Sequence, residues 1–151
     1  MADINNGIDI LEDLIETCRD GENGFKEAAE KINDPEIRSF FLAQSTERAH
    51  FARELENEVQ RLGKAEPERK GSAAGALHRS WMGLKEALGG GTKSILESAE
   101  KGEDSARDAY EKALTDEDLP PSVTPVIQRQ AESVRLAHDR VRHLRDTAKA
   151  A

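Results

Sequence analysis

Ile15–Lys31 reads I-E-T-C-R-D-G-E-N-G-F-K-E-A-A-E-K, and Leu96–Lys112 reads L-E-S-A-E-K-G-E-D-S-A-R-D-A-Y-E-K. The two stretches are copies of one helical motif. Glu16 aligns with Glu97, Gly21 with Gly102, Glu22 with Glu103, and Glu30-Lys31 with Glu111-Lys112, at one constant offset. The segments that follow also correspond: Pro35, Ile37, Phe41, Gln44 and Leu55 match Pro121, Val123, Ile127, Gln130 and Val141. A helical hairpin has been duplicated, and two such hairpins make a pseudo-twofold four-helix bundle.

Working outward, apolar residues recur every three or four positions at Ile8, Leu11, Ile15, Cys18, Phe25, Ala29 and Ile32. That spacing predicts a helix over Ile8–Ile32. Asn33-Asp34-Pro35 ends it and starts the next, with Asp34 as cap and Pro35 at the first helical position, where no hydrogen bond is lost. The second helix runs to about Leu62 on Ile37, Phe41, Phe51, Leu55 and Val59. So short a link makes the two helices antiparallel neighbours. Gly63–Gly71 reads as a polar linker and Ser72–Leu88 as a short helix carrying Leu77, Trp81, Leu84 and Leu88. Thr92 is placed to cap a helix reaching Leu114. Ser122 or Thr124 is placed to cap a last helix reaching Thr147. The Gly63–Gly91 connection is long enough to run the length of the bundle. A long crossover between two helical hairpins is the ferritin-like connection, whereas a simple up-down bundle uses a short loop.

A chain of 151 residues is read as a single domain, 1–151. With 36% hydrophobic and 4% aromatic residues, the core must be built mostly of Leu, Ile, Val and Ala. The 34% of charged residues suits helices with one apolar stripe and solvated outer faces. A net charge of −8 argues against nucleic acid or an anionic membrane as partner, since both are bound largely by phosphate neutralisation. The single cysteine, Cys18, lies on an apolar stripe and reads as a small buried hydrophobe. No stretch has the ~18 consecutive apolar residues of a membrane span. Met1–Gly7 lacks the basic-then-apolar pattern of a signal peptide. A soluble cytoplasmic protein is the expectation. The crossover helix near Trp81 is a candidate homodimer surface, because an exposed aromatic patch is costly in a monomer.

Polar residues inside the stripes mark the candidate site. At 100° per residue, Glu22 and Glu103 fall near the centres of their stripes, and Gln44 and Gln130 fall within theirs. Counting from the turns places Glu22 and Gln44 at one height, and Glu103 and Gln130 with them if the Asp116–Pro121 loop absorbs the difference. The expectation is a buried layer of Glu22, Gln44, Glu103 and Gln130. A buried carboxylate must be protonated, hydrogen-bonded, paired with a cation or bound to metal. Gln amides can satisfy such a layer without metal. The alternatives are a metal site and outward snorkelling of the Glu heads. Glu47-x-x-His50 puts a carboxylate and an imidazole one turn apart, so Glu22, Glu47, His50 and Glu103 form the tentative metal set. The positions equivalent to Glu47 and His50 in the second half are Ser133 and Leu136, which cannot complete a matching pair. Gly21 and Gly102 each cost a helix roughly 1 kcal/mol relative to Ala, so their recurrence predicts a close approach of another helix or side chain. His138 lies at a stripe edge and reads as interfacial. No nucleophile–base set, phosphate loop or nucleotide fingerprint occurs, so no catalytic residue is assigned.

Asp13–Ala29, Ala74–Trp81 (A-G-A-L-H-R-S-W), Gly102–Ala106 (G-E-D-S-A) and Asp118–Pro121 (D-L-P-P) together resemble an uncharacterised bacterial family, a ferritin-like four-helix-bundle domain of unknown function. The resemblance covers nearly the whole chain. It implies an all-α ferritin-like fold and a bacterial cytoplasmic protein loosely associated with stress responses, and no known reaction. Di-iron members of the wider superfamily carry a Glu on one helix of each hairpin and Glu-x-x-His on the other. Glu22, Glu103, Glu47 and His50 can stand for three of those four elements, and the second Glu-x-x-His is absent. The expectation is therefore a non-enzymatic interaction or stress-related bundle without a cofactor. The alternative is a metal-binding or oxidase protein using iron, manganese or zinc.

Overall fold

A computed structural model describes residues 3–64, 81 and 90–148. Four helices occupy the described residues: α1 (Ile4–Lys31), α2 (Pro35–Arg61), α3 (Thr92–Thr115) and α4 (Thr124–Thr147). Among these residues there is no strand. The expected short helix over Ser72–Leu88 lies outside the described residues, apart from Trp81.

Local chemistry sets most of the boundaries. α1 starts four residues earlier than its apolar pattern, because the Asp3 side chain accepts from the amides of Asn5 and Asn6. Asp118, in the α3–α4 turn, holds that start in place. It accepts from the Asp3 amide at 2.9 Å and from the Asn6 side chain at 2.6 Å. Asp34 caps α2 as expected, accepting from Glu36 and Ile37, with Pro35 in the first turn. The other two caps differ from expectation. α3 is preceded by Gly91 at φ 96° and α4 by Val123, and neither helix has a side-chain cap. Gly91 takes the left-handed conformation that a side chain disfavours.

The cross-helix bonds fix the directions. Cys18 meets Tyr110, while Gly7 near the start of α1 packs on Pro120, so α1 and α3 run antiparallel. Glu47 meets Ser133 and Gln130 reaches the Phe51 carbonyl, so α2 and α4 also run antiparallel. α2 and α3 therefore run in the same direction. Their connected ends, Leu62 and Thr92, lie at opposite ends of the bundle. Between the hairpins Leu11, Phe25, Phe41, Leu55, Leu96 and Ile127 are fully buried. Burial of such side chains contributes about 1.5–3 kcal/mol each.

Trp81 lies in this core. It is 8% exposed and lies edge-on to Phe25 at 5.4 Å between centroids. A β-carbon on Gly24 would come within 2.5 Å of the indole, and one on Gly102 within 2.2 Å. These glycines form a socket that no larger residue permits. Trp81 itself is thus buried within its own chain, while the rest of the crossover segment expected as a homodimer surface lies outside the described residues.

Gly102→Ala should consequently push Trp81 out of its socket, at a cost of about 1–3 kcal/mol from overpacking, despite the better helix propensity of Ala. Urea denaturation and a red shift of the tryptophan emission would register it. An unchanged midpoint with unshifted emission would contradict the socket.

Candidate functional site: an ion pair in the bundle core

Glu103 lies at the centre of α3's apolar stripe and is fully buried. Its partner is Arg48 of α2, itself 1% exposed. Two parallel hydrogen bonds join them, from Nη1 to Oε1 at 2.7 Å and from Nη2 to Oε2 at 2.6 Å. This fork-on-fork geometry is the strong form of the Arg–carboxylate bond. The guanidinium also lies over the Phe25 ring, 5.3 Å from its centroid. Burial alone would lower the pKa of Arg48, but the charge and hydrogen bonds of Glu103 more than offset it and the net shift is upward. Arg48 stays charged, and the Glu103 carboxyl group receives both of its forked N–H bonds.

Gly21 makes room for this pair. A β-carbon there would stand 3.1 Å from Arg48 Nη1 and 3.5 Å from its Cγ. The two repeated glycines are therefore close-approach sites, as their recurrence predicts, but they admit different guests. Gly21 admits Arg48, and Gly102 admits Trp81.

A second polar chain crosses the core nearby. The Tyr110 hydroxyl donates to Gln130 Oε1 at 2.8 Å. Its single proton is thereby used, so its contact with Cys18 Sγ at 3.1 Å is donated by the thiol. Gln130 Nε2 in turn donates to the Phe51 carbonyl at 3.4 Å and to Glu54 at 3.2 Å. Arg129 holds the other oxygen of Glu54 at 2.5 Å. Burial pushes the Cys18 thiol up to about 11, partly countered by the Tyr110 hydrogen bond. Burial likewise raises Tyr110 well above its ordinary value. Both protons stay in place at neutral pH, and the chain runs from a buried thiol to a half-buried carboxylate.

The expected layer of Glu22, Gln44, Glu103 and Gln130 is not one layer. Glu22 and Gln44 do share a height, since the neighbouring Ser45 hydroxyl donates to the Glu22 carbonyl at 2.8 Å. Glu22, however, turns its half-buried carboxylate to Arg19 at 3.0 Å. Gln44 is half-buried, with an Oε1 that has no partner. Gln130 is level with Tyr110, about two helical turns along α3 from Glu103. Glu103 is twelve residues before the end of α3 and Gln130 only six after the start of α4. The Asp116–Val123 turn does not make up that difference.

The tentative metal set is also dispersed. Glu47 is bonded to Ser133. His50 is 62% exposed, with Nε2 3.9 Å from Glu54. Both oxygens of Glu103 are taken by Arg48, and Glu22 is held by Arg19. The ligand atoms of Glu22, Glu47, His50 and Glu103 do not converge. Among the described residues, the group that does converge is Glu100, Asp104 and His138, with ligand atoms within 4.8 Å of one another.

Arg48 was missed from the sequence, yet a signal for it existed. Phe41, Ser45, Arg48, Ala52, Leu55 and Val59 are spaced by three and four, so Arg48 sits on the stripe itself. The fold and its ion-paired core define an all-α bundle of two antiparallel hairpins. The chain belongs to the family described as a domain of unknown function, DUF2383, whose pattern matches residues 6–116. That match takes in α1, α2 and α3, and with them Arg48 and Glu103; α4 lies beyond it. A search among curated proteins finds no match.

Cys18 should resist alkylation by iodoacetamide at pH 8 in the native state and react in urea, because the thiolate is the nucleophile and burial suppresses it. Native labelling at the rate of a free thiol would contradict its placement. Tyr110→Phe should cost about 1–3 kcal/mol in urea denaturation, since Gln130 Oε1 and the Cys18 thiol lose their partner.

Proposed function

We propose that this protein is a ferritin-like bundle that acts as a non-enzymatic interaction or stress-related scaffold in the bacterial cytoplasm. The observation that carries the reading is the bidentate Arg48–Glu103 bond. In a di-metal bundle an inward carboxylate on this helix would be a metal ligand, but here it is saturated by a guanidinium. The ferritin-like reading is supported by the shared direction of α2 and α3, which a long crossover provides and a short loop does not. The cellular setting rests on the family resemblance and on the net charge of −8, which disfavours polyanionic partners. Consistent with a scaffold outside the bilayer, no described helix is long and apolar enough to cross a membrane.

The residues present do not fit a di-iron centre. Oxidase chemistry needs metals held with open coordination positions. Glu103 offers no free oxygen, His50 faces solvent, and the second Glu-x-x-His is missing. No reaction step is drawn through such a centre.

Iron(II) added to the protein in air should oxidise no faster than in buffer, and Glu22→Ala and Glu103→Ala should leave that rate unchanged. Stoichiometric iron binding or accelerated oxidation, lost in either variant, would overturn the reading.

A further inference from the structure

We propose that Glu100, Asp104 and His138 form a binding site for one divalent transition-metal ion, with zinc the best match to the donor set. The site lies at the α3–α4 seam, apart from the Arg48–Glu103 pair. Glu100 and Asp104 stand one helical turn apart on α3, and His138 faces them from α4. One imidazole nitrogen and two carboxylate oxygens suit zinc, with water filling the fourth position. Zinc–ligand bonds of ~2.0–2.2 Å place neighbouring donors roughly 3.4 Å apart. The three donor atoms, already within 4.8 Å of one another, need only small side-chain rotations to reach that spacing.

The strongest indication is the wiring of the His138 ring, which is 1% exposed. Nδ1 lies 3.2 Å from Asp139 Oδ1, and Nε2 lies 2.5 Å from Asp104 Oδ1. Nε2 and the Asp104 carboxylate thus face each other across the α3–α4 seam with Glu100 beside them, the arrangement that ligands of one shared ion take. The Asp139–Nδ1 contact then supplies the outer carboxylate that orients a metal-binding histidine.

Two guanidinium groups now provide positive charge there, and both have other partners. Arg145 is bonded to Glu100 but also holds Asp146 at 2.7 Å. Arg107 lies 3.3 Å from His138 Nε2 and equally 3.3 Å from Asp108. Either can release the cluster without becoming an unpaired charge. The site opens to solvent through a cleft walled by Glu97 and Asp146 and also by Lys93 and Lys101, so an ion has a path in.

Zinc chloride titrated calorimetrically into the full-length protein at neutral pH should bind at one equivalent per chain. His138→Gln and Asp104→Asn should abolish that binding, and Asp139→Asn should weaken it ~10–100-fold. His50→Gln and His143→Gln, both at exposed positions, should bind as the unaltered chain does. Cobalt(II) in place of zinc should give visible ligand-field bands that disappear in the His138 and Asp104 variants. Circular dichroism confirms that each variant is folded, and Asp104→Asn serves if His138→Gln is not. Absence of zinc binding by the unaltered chain would overturn the proposal, as would binding that survives both ligand variants or follows His50.

Discussion

Two opposite charges sealed in a hydrocarbon-rich core constrain much of this bundle. Taking Arg48 and Glu103 out of water costs several kcal/mol per ion, and only near-ideal mutual geometry offsets it. That geometry requires α2 to deliver a long side chain across the core to α3. It requires α1 to stand aside at Gly21, and the Phe25 ring to lie against the guanidinium. A slip of one turn in any of these helices would strand a buried charge. The pair is a poor source of net stability and a strict gauge of register.

The duplication has been put to asymmetric use. Glu103 is buried and ion-paired, while its counterpart Glu22 is half-buried and held by Arg19. The position in α4 equivalent to Arg48 is Val134, so no second guanidinium exists to follow Glu22 inward. Gly21 receives a charged side chain and Gly102 an indole. One repeated motif thus supplies a polar lock in one half and an aromatic anchor in the other. The two repeated carboxylates are therefore not a symmetric pair: one is sealed in the core and the other is half-buried.

Much of the architecture was legible in the sequence. The repeated stripes gave four helices, Asp34-Pro35 gave the first hairpin turn, and the paired glycines pointed to close approaches. Three things were not. Arg48 sits on the stripe by spacing, but a lone charged residue in a stripe carries no sign of its buried partner, which lies on another helix. The height of Gln130 depended on how far the Asp116–Val123 turn advances along the bundle, which helical periodicity does not encode. The inward orientation of Trp81 is set by two glycines on different helices, Gly24 and Gly102, and depends on the tertiary fold. The Glu100–Asp104–His138 cluster escaped notice for the same reason. Its members come from two helices with no shared motif, and only their packing brings them together.

The most direct measurement is a double-mutant cycle on the core pair, read by urea denaturation of the unaltered protein, Arg48→Met, Glu103→Leu and the double variant. Each single variant should lose about 3–5 kcal/mol because it leaves one uncompensated buried charge, and the double variant should recover most of that loss. Additive losses, or single variants as stable as the unaltered chain, would show that Arg48 and Glu103 are not a coupled buried pair.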